Sequence, residues 1–473
     1  MRTNLSCVFI AMVSAGVVAC GGGSGPTGAA PPPANDAGES TEGGPITTPV
    51  EAGAPVEAAA PVDHGAPSTT YPAFPVTFGQ LQDNGGLKMT SPVIVAITWD
   101  SDPSQASFDS FADELGATSY WNQTSSEWGI GPAVSGMANH VHISTAAPAT
   151  LQDSDLQTMV TTNAGITAGW PAPTEDTVYA FFLPPNLSLL VQGMGGGSSD
   201  ACSQGIGGYH DQVTAGAVTT SYAAVPSCVF PGGNSAAQQT TMSMSHEINE
   251  AASDPQPQSS TPGVTGFEDD SFAFDYFQDL QSENGDACEF FVYGPDSSFY
   301  EDTETTPVAF DYWVQRIWSN KSGAAGHNPC VPVPSDPYFN VTPLELQTVY
   351  VTNPQGSGGS SSSAKFASKG YKALAGSSVT FPVGFYSDAA TTGPWTLKAT
   401  VGNPITGTQD FLAQYNKSTA TVSIDKASGL NGEKAYVTVK VTTSGSLFKG
   451  EMITITSSLG GVSHYMPIWI AGE

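Results

Sequence analysis

The stretch Met244-Ser245-His246-Glu247-Ile248-Asn249-Glu250-Ala251-Ala252-Ser253-Asp254-Pro255 carries the densest chemistry in the chain. On a helix, His246 and Glu250 lie four residues apart on one face, so an imidazole and a carboxylate can meet on the same cation. Asp254 is one turn further and reaches that face if the helix continues, although Pro255 disfavours the α conformation at the residue before it. Glu247 stands where the helix of HExxH zinc hydrolases carries the general base that takes a proton from the attacking water. Glu250 replaces the second histidine of that motif. A hard carboxylate selects less strongly for zinc, so calcium and manganese also suit the HExxE arrangement.

Further donors flank this helix. Gly207-Gly208-Tyr209-His210-Asp211 sets a histidine in a glycine-rich turn, which makes His210 a candidate third ligand. Downstream, Glu268, Asp269, Asp270, Asp275, Asp279, Glu283, Asp286 and Glu289 form a run without a basic residue. Such a run serves as a solvated face, or as a cation site if its like charges converge. His140 and His142 alternate along an expected strand and would share one sheet face, a geometry that metals accept. His64, His327 and His464 read as structural or exposed. No GxSxG elbow marks a nucleophilic serine.

The order of these segments resembles a group of secreted bacterial proteins, more distantly similar to the plant EXORDIUM or phosphate-induced proteins. The matching residues are GGYHD at 207–211, Tyr222-Ala223-Ala224-Val225-Pro226 with Cys228, SHEINEAASDP at 245–255 and Glu283-Asn284-Gly285-Asp286-Ala287-Cys288. In that group the motifs run approximately GYHS, YAVxP, SHExxEAxTDP and GEIGDxC. The strand at Ile94 to Trp99, the helix near Phe108 and the pair Trp121 and Trp128 are also similar to the family's start. The resemblance spans about residues 75–330. It implies a shared fold and a shared site at His210, His246, Glu250, Glu283 and Asp286. It implies no particular reaction. Asp211 in place of serine, and Ser282-Glu283-Asn284-Gly285 in place of GEIG, depart from the pattern while keeping the ligand types.

Positioning such donors requires a packed α/β framework. Val93 to Trp99 and Thr177 to Leu183 are continuous apolar runs, as expected of buried strands. Phe108, Phe111, Ala112 and Leu115 have helical spacing, Leu151 to Ile166 is a second expected helix, and Met242 to Ala252 a third. Strands alternating with helices predict a mixed α/β (α+β) domain over residues 73–334, with a zincin-like fold as its sharper form. From residue 335 to 473 the texture becomes short strands: Val379–Tyr386, Trp395–Val401, Ala420–Ile424, Ala435–Val441, Met452–Thr456 and His464–Ile470. Regular turns between them predict an all-β, immunoglobulin-like sandwich, with the Gly/Ser run at 356–363 as a long loop after its first strand.

The remainder of the chain concerns location. Met1 and Arg2 followed by the apolar Leu5 to Val18 read as an export signal over residues 1–19, too short to span a bilayer. Val17-Val18-Ala19-Cys20-Gly21 resembles the lipobox of bacterial lipoproteins, which predicts a lipid on Cys20 and a cell-envelope location at the outer membrane or cell surface. Residues 20–72 are rich in Gly, Ala and Pro, with no aromatic before Tyr71, and read as a disordered tether reaching roughly 40 Å. With Cys7 in the signal and Cys20 lipidated, four cysteines remain. Pairing Cys202 with Cys228 and Cys288 with Cys330 closes the shorter loops, and no CxxC suggests a zinc-cysteine site.

The formal charge of −30 repels phosphate backbones and sets nucleic-acid partners aside. Three readings remain. One is a metal-dependent hydrolase, zincin-like, acting on polypeptide with zinc held by His246 and Glu250, Glu247 as base, and His210, Asp254 or Asp286 as third ligand. Another is a non-catalytic surface protein that binds a ligand such as a glycan around a structural calcium. The third makes His246 an ordinary core or capping histidine.

Overall fold

The computed structural model describes residues 62–76, 78–192, 198–230, 233–267, 283–291, 299–306, 308–352, 365–402, 420–442 and 450–472. The export signal, Cys20, the tether to residue 61, the acidic residues from Glu268 to Asp279 and the Gly/Ser run at 356–363 lie outside the described residues, as does the side chain of Glu289.

The α/β part is built on a five-stranded sheet. Its strands are β1 (Val93–Trp99), β2 (His140–Ile143), β3 (Thr177–Phe182), β4 (Tyr209–Ala215) and β5 (Val218–Val225), in the spatial order β2-β1-β3-β5-β4. The pairs β1–β2, β1–β3 and β3–β5 are parallel, and β4 closes the edge as an antiparallel hairpin with β5. Continuous apolar runs in β1 and β3 follow from burial of both sheet faces. Ile94, Ala96, Val178, Ala180, Ala223 and Val225 point into one core, Val95, Ile97, Tyr179, Phe181, Tyr222 and Ala224 into the other.

Helices fill both faces. α1 (Gln105–Leu115) buries Phe108, Phe111, Ala112 and Leu115 in the first core, and each fully buried Phe or Leu side chain is worth about 1.5–3 kcal/mol. α2 (Ser119–Ser125) follows it, capped by Thr118 accepting from the Trp121 amide. α3 (Asp153–Asn163) covers the second core through Leu156 and Val160. The third expected helix is longer than its apolar pattern: α4 spans Ala236–Ser253, because Ser235, seven residues before Met242, forms a reciprocal capping box with Gln238. It stops at Asp254, whose φ of −140° is non-helical, as the following Pro255 requires. α5 (Asn284–Phe291) and β6 (Tyr312–Gln315) pack against α4.

The strands between residues 339 and 471 form two sheets. β7 (Phe339–Pro343), β8 (Gln347–Thr352), β9 (Lys365–Lys372), β10 (Ser378–Ser387), β11 (Trp395–Val401), β12 (Ala420–Ile424), β13 (Ser428–Gly429), β14 (Lys434–Val441), β15 (Glu451–Leu459) and β16 (Val462–Ala471) divide into the orders β7-β10-β14-β12 and β8-β9-β16-β15-β11-β13. Phe385, Val437 and Val439 from one sheet share a core with Ile453, Ile455 and Ile468 from the other. Two strands, β7 and β8, precede the Gly/Ser run, rather than the single strand expected.

The last part of the expected tether is ordered. His64 and Lys434 exchange hydrogen bonds through the His64 carbonyl and Nδ1, and Asn431 donates to the carbonyls of Ser68 and Thr70. A polar, Pro-rich segment cannot build its own core, but it can dock its backbone onto one already formed, which composition does not reveal. Disulfides join Cys202 to Cys228 and Cys288 to Cys330, pointing to an extracytoplasmic location. No helix among the described residues is long and apolar enough to cross a membrane.

Candidate metal centre

Sheet register and helix periodicity bring the donors together. His210 pairs with Ala223 across the β4–β5 hairpin and so shares its face, toward α4, whereas Tyr209 turns into the opposite core. On α4, His246 and Glu250 present Nε2 and Oε1 to each other at 3.0 Å. The second oxygen of Glu250 lies 3.5 Å from His210 Nδ1. One carboxylate therefore stands between two imidazoles contributed by a strand and a helix. Glu247 Oε2 is 3.7 Å from His210 Nδ1, Asp286 Oδ1 is 3.6 Å from His246 Nε2, and Glu283 Oε1 is 3.5 Å from His210 Nε2. His246, Glu247 and Glu250 are completely buried, His210 nearly so; Glu283 and Asp286, each 7% exposed, are the members nearest solvent.

Hydrogen bonds on the outer side of each ring fix which nitrogen faces inward. Gln315 Nε2 donates to the Gly285 carbonyl at 2.7 Å, which leaves its Oε1 to accept from His246 Nδ1 at 2.8 Å. The proton on His246 is thereby held at Nδ1, and Nε2 keeps its lone pair. His210 Nε2 donates to the Asp254 carbonyl at 3.2 Å, so Nδ1 is the free lone pair of that ring. These two inward nitrogens, both oxygens of Glu247 and Oε2 of Glu250 are buried without a hydrogen-bond partner. A buried polar atom left unpaired costs about 1–3 kcal/mol, more if charged. Five in one cluster fit a cation, and the buried His/Glu groups His210–Glu250–Glu283 and His246–Glu247–Glu250 could each hold one.

The electrostatics agree. Burial pushes Glu250 upward, but the two imidazoles beside it, His246 and His210, outweigh it and hold the carboxyl at about 2. Burial also opposes charge on the two histidines, yet the surrounding carboxylates, led by Glu283 for His210 and Glu250 for His246, drive both well above the ordinary value. Glu247 and Glu283 are raised, chiefly by burial. Such a centre demands positive charge, from protons or from a metal ion.

Of the expected ligands, His210, His246, Glu250, Glu283 and Asp286 are brought together, with Glu247 beside them. Asp254 is not brought into either group. Its Oδ1 accepts from the Gly263 amide at 2.9 Å, because the helix has ended and the side chain turns to satisfy a loop. Its carbonyl accepts from His210 Nε2, and its other carboxylate oxygen, Oδ2, is buried without a hydrogen-bond partner. Sequence reading missed several supports. Gln315 sits in no motif, and only its placement beside α4 reveals it. Gly285 and Gly208 are required by close approach: a Cβ on Gly285 would lie 2.8 Å from His246 Nδ1 and 2.9 Å from Glu250 Oε1, and one on Gly208 2.7 Å from Glu247 Oε1. The glycines of ENGD and GGYHD were the available signal. Tyr120 bridges the scaffold, donating to the Gln315 carbonyl at 2.7 Å and accepting from Asn249 at 3.2 Å.

No protein-family model matches the chain, and neither does any curated protein.

Proposed function

We propose that this chain is a cell-envelope lipoprotein whose α/β part is a metal-dependent hydrolase, zincin-like in its use of one helix for a ligand pair and a base, acting on polypeptide. The observation that carries the reading is the convergence of two unpartnered ring nitrogens, His210 Nδ1 and His246 Nε2, on the carboxylate of Glu250. Two imidazoles and one carboxylate form a donor set suited to zinc in a catalytic role. A cation held there would supply Lewis acidity to polarise a carbonyl and promote ionisation of water. Glu247 has the position and the upward-shifted carboxyl of a general base, able to take a proton from water and return it to a leaving amine. Gln315 and the Asp254 carbonyl orient the imidazoles, and Gly208 and Gly285 give the base and the ligands room.

Kinship with the EXORDIUM-like group is part of the proposal. It is supported by the way three of its motif segments, distant in sequence, contribute donors to one cluster. Anchoring through Cys20 rests on the lipobox-like sequence, and Cys20→Ser is expected to move the protein from the membrane fraction to the soluble one.

Complete burial of Glu247 and Glu250 favours a second reading, in which the cation is structural, calcium in kind, and the two-sheet, immunoglobulin-like part carries adhesion or glycan binding. Metal analysis of the purified protein and of His246→Ala separates the two. Stoichiometric zinc lost on substitution, with chelator-sensitive cleavage of casein or a peptide library, supports the hydrolase. Calcium retained by the variant, with no cleavage, sinks it.

A further inference from the structure

A second cluster lies apart from the buried centre, where α1 crosses the edge strand β2. His140 and His142, two residues apart on β2, turn their rings to the same side, 6.2 Å apart and within 17° of parallel. Asp109 and Asp113, one helical turn apart on α1, face them. Asp109 Oδ2 lies 2.9 Å from His142 Nε2 and 3.9 Å from His140 Nδ1, while His140 Nε2 meets Asp113 Oδ1 at 2.8 Å. Each of Asp109, His140 and His142 offers a donor atom within 4.8 Å of the other two.

The geometry points to a divalent transition-metal site formed by His140 Nδ1, His142 Nε2 and Asp109, with Asp113 behind it. Three details distinguish this group from a pair of surface ion pairs. Asp113, which can only accept when ionised, holds the His140 proton at Nε2 and so leaves Nδ1 facing Asp109; an outer carboxylate of this kind is the usual companion of a ligating imidazole. Asp109 Oδ1 is buried without a hydrogen-bond partner, while its Oδ2 accepts from His142 Nε2 at 2.9 Å, a proton that a bound ion would replace. Finally, the backbones of β2 and α1 fix the spacing, so little side-chain freedom remains to be lost on binding. Two imidazoles with one carboxylate favour zinc, copper or nickel over calcium or magnesium, which take oxygen donors. The His142 side chain is 41% exposed, which leaves coordination positions open to water and lets the ion exchange. A bound ion would fasten the edge strand to α1.

Equilibrium dialysis of the untagged full chain against micromolar zinc(II), read by metal analysis, tests the site. The native protein is expected to bind one ion more than His142→Gln, and zinc is expected to raise its melting temperature further than that of the variant. Because His142 is partly exposed, the variant is expected to fold, with an unchanged circular dichroism spectrum as the check. Asp113→Asn, which removes no ligand, is expected to weaken this ion about 10- to 100-fold. Excess calcium is expected not to compete. Loss of zinc from His246→Gln reports on the buried centre instead, and the two losses are expected to add in the double variant. Equal zinc stoichiometry and affinity in the native protein and in His140→Gln/His142→Gln would overturn the proposal, as would binding seen only at millimolar zinc.

Discussion

His210 and His246 each spend one ring nitrogen on an outward hydrogen bond, and this decides what the other nitrogen can do. A neutral imidazole has one donor and one acceptor, so anchoring the donor on Gln315 Oε1 or the Asp254 carbonyl aims the lone pair at Glu250. Gln315→Ala is therefore expected to retain the fold and lower metal affinity about 10- to 100-fold, read by competition with a chromophoric chelator. Glu247 differs in kind: both its oxygens lack partners, and it touches His210 only at 3.7 Å. Glu247→Gln keeps the shape and removes the proposed base. It is expected to reduce kcat by about 10²- to 10⁴-fold while metal content stays stoichiometric. Full activity in Glu247→Gln would remove it from the reaction.

Three elements must stay in register for those residues to meet. β4 delivers His210 through its pairing with β5, α4 delivers His246, Glu247 and Glu250, and α5 delivers Asp286, whose amide donates to Glu250 Oε1 at 3.0 Å. α5 has eight residues, too few to be stable alone, and is held by Cys288 bonded to Cys330 in the chain that follows β6. Closing that loop restricts the unfolded chain. Cys288→Ala/Cys330→Ala is expected to cost about 2–5 kcal/mol in urea unfolding and to weaken zinc binding at the proposed buried centre as well. An equal loss of stability with unchanged metal affinity would show that α5 does not need the disulfide to place Asp286.

At the scale of the molecule, the two-sheet part carries its own titrating core. His464 is 4% exposed, packed against Tyr338 and Phe339, and burial depresses its pKa from 6.5 to about 3. The unfolded chain therefore binds a proton in that interval and the folded chain does not. Stability from keeping His464 neutral is present above pH 6.5 and is lost as pH falls from 6.5 toward 3, with a slope of up to about 1.4 kcal/mol per pH unit. His464→Gln is expected to flatten that part of the stability profile by the same slope. Parallel profiles for the two proteins would place the acid sensitivity elsewhere, most simply among the buried carboxylates.

Sequence alone determined the donor types, the helical spacing of His246 and Glu250, the apolar strands and the change of texture after residue 334, because these depend on local periodicity; it favoured the shorter-loop cysteine pairs, which the structure shows. It also indicated where α4 must stop, since Pro255 restricts Asp254. It did not decide that His210, 36 residues upstream of His246, would face the same carboxylate, because that follows from strand register across β5. Nor could it find Gln315, show Asp254 bonded to the Gly263 amide, or show residues 64–70 docked on the two-sheet part. Those outcomes depend on which surfaces the tertiary fold brings within hydrogen-bonding distance, and no local pattern of residues encodes a contact between separate elements.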